Sequence, residues 1–380
     1  MGQMRRNLKW HSGNRVELLI DGDSFFPAML SAIESARETL LLEIYLAASG
    51  AVMDRFIAAL CASAERGVRV CLLFDHFGAR DLRQSDRQRL SRAGVSLVLY
   101  NPIAFNKWFA NFSRDHRKML VIDQRLAFIG GTGLTDSYRS DLPGRPDTPW
   151  HEVMCRVEGP VVGDIARLFT QLWNRSCLDS LPLLNGRSQP GRVAGDALVR
   201  LLTSEGPRNQ RIERSILSMT HNARQRVWIC TAYFLPSFAL RLALRRAARR
   251  GVDVRLVVSG PLTDHLWIHH ASKRYYRRLL NAGVHIYEYQ PRMLHAKLAL
   301  IDDQVSIGSC NLDHWNLRWN LEANIEVREP LFSAEVEQML LNDFVQSQEI
   351  TAAEWAQRPW HRKIKELVWA LISQWILRIR

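Results

Sequence analysis

The chain has 380 residues, 47% of them hydrophobic, with 51 Lys+Arg against 38 Asp+Glu for a formal net charge of +13. That length allows two ordinary domains with sizeable cores, and the charge points to a polyanionic partner, nucleic acid or an anionic membrane, without choosing between them. Met1–Asn14 is too polar for a signal peptide, and no uninterrupted apolar run is long enough to predict a transmembrane helix.

From the N-terminus, Leu18–Asp23 reads as a short strand ending in a turn, Phe26–Arg37 has helical spacing, and Thr39–Leu46 suits an interior strand. Helices at about 52–66 and 82–92 then alternate with strands at about 68–74 and 95–100. Ser180–Ala197 holds three glycines and two prolines and reads as a linker. Beyond it, Arg211–Arg224 and Ser237–Arg250 read as helices and about 226–232 and 253–258 as strands, and the chain is helical from about Pro330. The alternation predicts an α/β sandwich around a mostly buried sheet. Six cysteines (61, 71, 155, 177, 230 and 310) lack C-x-x-C or zinc spacing and read as reduced structural thiols of a cytoplasm-facing protein.

His116-Arg-Lys118-Met-Leu-Val-Ile-Asp123 and His295-Ala-Lys297-Leu-Ala-Leu-Ile-Asp302 are one H-x-K-x4-D device written twice. The chain has twelve histidines and only seven lysines, so composition alone gives one such match in about one chain per hundred. The repeat extends outward: Arg66-Gly67-Val68-Arg69-Val70 is echoed by Arg250-Gly251-Val252-Asp253-Val254, and Ala93-Gly94-Val95 by Ala282-Gly283-Val284. A period this long is no solenoid; it predicts two fused copies of one domain. The boundaries follow as 1–179 for the first lobe, 180–197 for the linker, 198–345 for the second lobe and 346–380 for a C-terminal amphipathic basic helix.

Residues two apart on a strand share a face, so His116 projects with Lys118 and His295 with Lys297. Asp123 and Asp302 follow their histidines by an odd number and turn to the opposite face, which suits holding the turn or pairing with a basic group. Two histidines can attack and protonate a phosphodiester while two lysines stabilise its transition state, with no metal or organic cofactor. Gly308-Ser309-Cys310-Asn311 follows the second motif and offers Ser309 and Asn311 as phosphate donors; Gly130-Gly131-Thr132-Gly133 offers only Thr132 and backbone N–H groups.

These motifs resemble the phospholipase D superfamily over roughly residues 15–330. The resemblance implies two similar α/β/α sandwich lobes related by pseudo-twofold symmetry, with one active site between them. It makes His116 the nucleophile and His295 the acid and base, with Lys118, Lys297, Ser309 and Asn311 on phosphate. Glu152 and Glu322 match acidic residues that orient the histidine of the opposite lobe. Two departures stand out: Gly133 replaces the first motif's Asn, and the second motif is one residue shorter between Asp302 and Gly308, which leaves room for Ser309 and Asn311 to shift relative to the lysine.

The motif gives a reaction class but not a substrate. Between Ile364 and Ile379 apolar residues recur at helical spacing, flanked by Arg362, Lys363, Lys365, Arg378 and Arg380, which suits a helix in the headgroup layer of an anionic membrane or one docked on the core. Phe105-Asn-Lys-Trp108-Phe109-Ala-Asn-Phe112 suits an acyl-chain entrance, a bilayer-dipping loop, buried packing or base stacking. Arg156–Pro160, Thr231–Pro236 and Asn320–Asn324 resemble short bacterial cardiolipin synthases, which lack N-terminal transmembrane helices. That resemblance implies a phosphatidyltransferase using phospholipid substrates, peripheral on the cytoplasmic face of the membrane, and disfavours nucleic acid. A hydrolase using water and a metal-independent nuclease are the alternatives. The acceptor and the oligomeric state are not legible.

Overall fold

The computed structural model describes residues 9–140, 148–177, 181, 193–206, 209–313 and 318–358. The first half runs β1 (His11–Ile20), α1 (Gly22–Ser35), β2 (Thr39–Ile44), α2 (Ala51–Glu65), β3 (Arg69–Asp75), α3 (Gln84–Arg92), β4 (Ser96–Tyr100), β5 (Met119–Ile122), β6 (Leu126–Gly130), β7 (Val153–Glu158) and α4 (Val162–Ser176). The second half repeats it as β8 (Ala197–Glu205), α5 (Arg211–Asn222), β9 (Arg226–Thr231), α6 (Phe238–Arg249), β10 (Asp253–Ser259), α7 (Leu266–Ser272), α8 (Tyr276–Leu280), β11 (His285–Tyr289), β12 (Lys297–Ile301), β13 (Gln304–Gly308), β14 (Leu321–Arg328) and α9 (Pro330–Val345).

Strand order is the same in both halves: β1-β7-β6-β5-β2-β3-β4 and β8-β14-β13-β12-β9-β10-β11. In each, the last three strands are parallel and the others antiparallel. β1 and β8 pair at their first residues, Asn14 opposite Ala197, and join the halves into one ladder. Stretches such as Leu40–Leu42 and Cys71–Phe74 are apolar on both faces because both faces are covered. Outside, α1, α2 and α3 pack Phe25, Phe56 and Leu90 in one half, while α5, α6 and α8 pack Ile216, Leu244 and Tyr276 in the other. Between the sheets lies a third core, where Phe169 and Trp173 of α4 and Val336 and Leu340 of α9 meet strands of both halves. The lobes therefore share a core and bury their apolar surface together.

Three expectations change. β1 begins at His11, well before Leu18, because pairing with both β7 and β8 recruits a polar stretch that no apolar pattern marks. β8 begins at Ala197, inside the expected linker, most of which lies outside the described residues. Leu181, also in that stretch, is buried, and the Asn174 side chain hydrogen-bonds its main chain at 2.8 Å twice. A helix does not run from 346: Ser347–Ile350 forms β15 on the edge beside β11, and Ala352–Ala356 is a short helix closed by a Thr351–Glu354 capping box. Trp355 of that helix is buried against Tyr276, ring centres 5.0 Å apart, which ties the segment to the second lobe. The remainder of the expected tail helix, from 359 on, lies outside the described residues.

One polar chain also crosses between the lobes. Arg292 bonds Asp21 at 2.5 Å, Asp21 bonds His151 Nδ1 at 2.8 Å, and His151 Nε2 lies 3.2 Å from Asp343 of α9. His151 also stacks on Tyr289 at 5.3 Å. Burial alone would lower its pKa, but Asp21 and Asp343 outweigh burial and hold the imidazolium up to about 9. Because the folded value is raised, this stabilisation is complete below the unfolded value of about 6.5 and is lost as pH rises through about 9, on the order of 3 kcal/mol. His151→Gln is expected to lower Tm by roughly 5 °C at pH 6, with the deficit at least halved at pH 10. A pH-independent deficit in a thermal-melt series contradicts the charged clamp.

Candidate active site

Each motif is hydrogen-bonded to the other lobe just before its strand starts. The His116 N–H donates to Leu321 O at 3.0 Å, and the Leu321 N–H donates to Arg114 O at 2.9 Å. In the second half the His151 N–H donates to Met293 O at 2.8 Å, and the His295 N–H to His151 O at 2.7 Å. The residue after Leu321 is Glu322, and the residue after His151 is Glu152. Main-chain pairing across the boundary thus delivers each glutamate to the opposite histidine. His116 Nδ1 lies 2.9 Å from Glu322 and His295 Nδ1 lies 2.5 Å from Glu152, with both carboxylates fully buried.

The lysines share the histidine face, as strand parity expects. Lys118 Nζ donates to His116 O at 2.6 Å; Lys297 Nζ donates to His295 O and lies 3.3 Å from Glu152. Tyr45 packs edge-on against His116 at 4.8 Å, with Lys118 over its ring. Trp150 lies 5.2 Å from the His295 ring, and Tyr138 Oη is 3.3 Å from His295 Nδ1. The charges of Lys297 and His295 act on His116 across the boundary, so the two motifs lie within electrostatic reach of each other.

Ser309 joins this cluster, and Asn311 follows it by two residues. Ser309 Oγ donates to Glu322. Asn311 is fully buried, yet neither amide atom has a hydrogen-bond partner among the described residues. Such an orphan is costly unless a ligand satisfies it, which fits an anion in the cleft. The first lobe offers no counterpart. A Cβ at Gly131 would collide with the Glu152 carboxylate, and one at Gly133 would meet Leu46 O at 2.7 Å, so neither position has room for a donor side chain. Thr132 Oγ1 is turned away to Gly133 O.

The shorter second hairpin moves nothing at the site. Met119 pairs with Ile129, and Leu298 pairs equivalently with Ile307, so each motif lysine keeps the same offset from its glycine turn. The missing residue comes out of the far turn, where Ile301 opposes Gln304 but Ile122 opposes Leu126. Asp123 and Asp302 occupy those far turns with positive φ. Asp123 accepts from the N–H groups of Arg37, Glu38 and Thr39, and Asp302 from those of Arg224, Gln225 and Arg226. They tie the preceding helix to its strand, five residues beyond the lysines and so on the order of 15 Å along the strand.

Sequence reading missed the residues that hold the first motif. Asp75 accepts from the Asp115 N–H at 3.0 Å and faces Arg114; Arg117 is buried between Glu43 at 2.9 Å and Asp115 at 3.2 Å. A signal existed: Glu43 and Asp75 are lone acids in strands otherwise apolar on both faces.

The two halves differ electrostatically. Burial pushes Glu322 up to about 8 and Lys118 down to about 7. Burial, then the charges of Lys118, Lys297 and His295, hold His116 well below the usual imidazole value. Burial also pushes Glu152 up, but the charges of Lys297 and His295 win and hold it below the ordinary carboxyl value. Burial and Lys297 lower His295 while Glu152 opposes them. Raising pH through 7–8 therefore strips the proton from Lys118 and from Glu322, and each step makes the cleft more negative. For an anionic diester, kcat/KM is expected to fall about tenfold per pH unit above pH 8, and a profile flat to pH 9 contradicts this.

Two lobes with crossed carboxylate–imidazole pairs, two lysines and an unsatisfied amide make up the candidate site. The family model described as the cardiolipin synthase, phospholipase D-like domain matches residues 29–173 and 216–344, and the one described as phospholipase D matches 116–238. The chain belongs to this cardiolipin synthase-type, phospholipase D-like family. It is 36% identical over 358 residues to cardiolipin synthase A of Pseudomonas putida, covering 92% of this chain and 72% of that protein. Cardiolipin synthase A of Pseudomonas entomophila (strain L48) is likewise 36% identical over 357 residues, with the same two coverages. Among solved structures, phosphatidylserine synthase of Haemophilus influenzae Rd KW20 superimposes with a TM-score of 0.74 at 14% identity, covering 97% of this chain and 96% of that one, which shows a common fold.

Proposed function

We propose that this chain is a phosphatidyltransferase that makes cardiolipin from phosphatidylglycerol-type lipids through a phosphohistidine intermediate. The observation that carries the reading is the pair of crossed contacts, Glu322 on His116 and Glu152 on His295, each engaging Nδ1 and leaving Nε2 for chemistry. The similarity to cardiolipin synthases supports the choice of lipid.

In this scheme neutral His116 attacks phosphorus and forms a P–N bond. The P–O bond to the headgroup glycerol breaks, and His295 gives its proton to the departing oxygen. Ionised Glu152 opposes the burial and the Lys297 charge that lower His295 and so favours a proton there, while burial and the charges of Lys118, Lys297 and His295 keep a free lone pair on His116. A hydroxyl of a second phosphatidylglycerol then attacks phosphorus, returns a proton to His295 and releases His116. The balance is two phosphatidylglycerols to one cardiolipin and one glycerol. Lys118, Lys297, Ser309 and Asn311 stabilise the oxygens of the transition state, and Asp123 and Asp302 brace the strands that carry the lysines. As written, the steps call on no metal ion or organic cofactor.

The reading places the protein on the cytoplasmic face of the membrane, with the basic amphipathic stretch Arg362–Arg380 adding affinity for anionic lipid. Brief incubation with phosphatidyl-labelled phosphatidylglycerol is expected to leave label on His116, in greater yield in His295→Asn. Cardiolipin formation is expected to drop about 10³-fold or more in His116→Ala. Label that persists in His116→Ala contradicts the assignment.

A further inference from the structure

The loop before the first motif, Phe105–Phe112, is two short turns broken at Trp108, whose φ of 40° is strained for so bulky a residue. Asn101, Lys107 and Asn111 spend hydrogen bonds on the loop's own backbone. Asn101 Nδ2 donates to Ala110 O and Ser113 O, both at 2.8 Å; Lys107 Nζ donates to Pro102 O at 2.8 Å; and Asn111 exchanges hydrogen bonds with Ala104 at 2.8 and 3.1 Å. This frame turns the rings outward. Phe105 is fully exposed, Trp108 is 78% exposed, and Phe109 and Phe112 are exposed as well. Buried packing, one sequence expectation for this segment, is thereby ruled out. A braced loop that displays four aromatics is preorganised for an apolar medium.

The second lobe displays its own apolar group at the same end of its sheet. Phe238 opens α6 just beyond Thr231, which pairs with Lys297, and Leu262 and Leu266 follow Ser259, whose hydroxyl bonds Leu294 O beside His295. All three are exposed. Beside them Arg241, Arg274, Arg277 and Arg278 line a cavity of about 300 Å³ with Tyr275, and no acidic side chain lines it among the described residues. The Tyr275 ring lies under the guanidiniums of both Arg241 and Arg274, at 4.4 and 4.5 Å. Burial disfavours the charge on Arg241, Tyr275 opposes that, and the neighbouring Arg274, Arg278 and Arg245 add to it, a penalty that an anion in the cavity would relieve. Arg245 Nε is buried with no partner.

We propose that these loops form one membrane-docking face around the cleft: the 105–112 aromatic loop inserts among acyl chains while the Arg241–Arg278 pocket grips the phosphate of an anionic lipid. The occupant is a bilayer bearing anionic phospholipid, because apolar insertion and phosphate recognition occur together there. This rests on the lipid reading of the active site, and the docking orients the cleft toward headgroups.

The test uses the full chain with vesicles of phosphatidylcholine alone and of phosphatidylcholine mixed with phosphatidylglycerol. A parallel assay follows turnover of a short-chain phosphatidylglycerol held below its micelle concentration. Phe105→Ala with Trp108→Ala is expected to lower partitioning at least tenfold on both vesicle types. Arg241→Gln with Arg278→Gln is expected to lower it at least fivefold on anionic vesicles only. Turnover of the monomeric lipid stays within twofold in both, which also verifies folding; Phe105→Ser alone serves if a double variant melts early. Wild-type partitioning by both variants overturns the docking face. Loss of partitioning with no turnover by the wild-type chain upholds the docking face and removes the proposed activity instead.

Discussion

A carboxylate lent by each lobe to the histidine of the other is the contact on which the rest of the molecule depends. Glu322 reaches His116 and Glu152 reaches His295 only because the segment leading into each motif pairs, backbone to backbone, with a strand start of the opposite half. A buried carboxylate is tolerated where it is hydrogen-bonded and paired. The crossing therefore ties the burial of two acids to the mutual position of the lobes. The shared core between the sheets and the Arg292–Asp21–His151–Asp343 chain hold that position. Neither half assembles a complete site alone.

The duplication has not left equal halves. Where the second lobe keeps Ser309 and Asn311, the first has two glycines with no room for side chains, because Glu152 and Leu46 O fill the space. Glu152 consequently finds its partners in His295 and Lys297, whereas Glu322 shares Ser309 and His116. The result is one carboxylate held ionised, Glu152, and one held protonated to about pH 8, Glu322, in a single site. Separated protonation preferences of this kind suit an acid and a nucleophile working on one phosphorus.

How much of this was legible depended on range. The H-x-K spacing reads directly because a strand places alternate residues on one face, whereas Asp123 and Asp302 stand apart from the lysines because the strands end before them, which parity does not address. The strands and helices of the repeat read from apolar runs and Arg-Gly-Val turns. Glu152 and Glu322 carried no local mark, since their burial arises from pairing across more than a hundred residues. The same holds for β1, whose polar start is strand only because two neighbours bond it, and for β15, a polar edge strand. Asp75 and Glu43 left a trace, acids in otherwise apolar strands, that spacing rules alone did not exploit.

The most direct test of the crossed arrangement is nuclear magnetic resonance of the imidazole N–H protons in protein labelled with ¹⁵N-histidine. Two strongly downfield Nδ1–H signals are expected. Glu322→Gln should shift that of His116 and spare that of His295; Glu152→Gln should do the reverse. A substitution that perturbs the histidine of its own lobe, or neither, contradicts a site assembled across the lobe boundary.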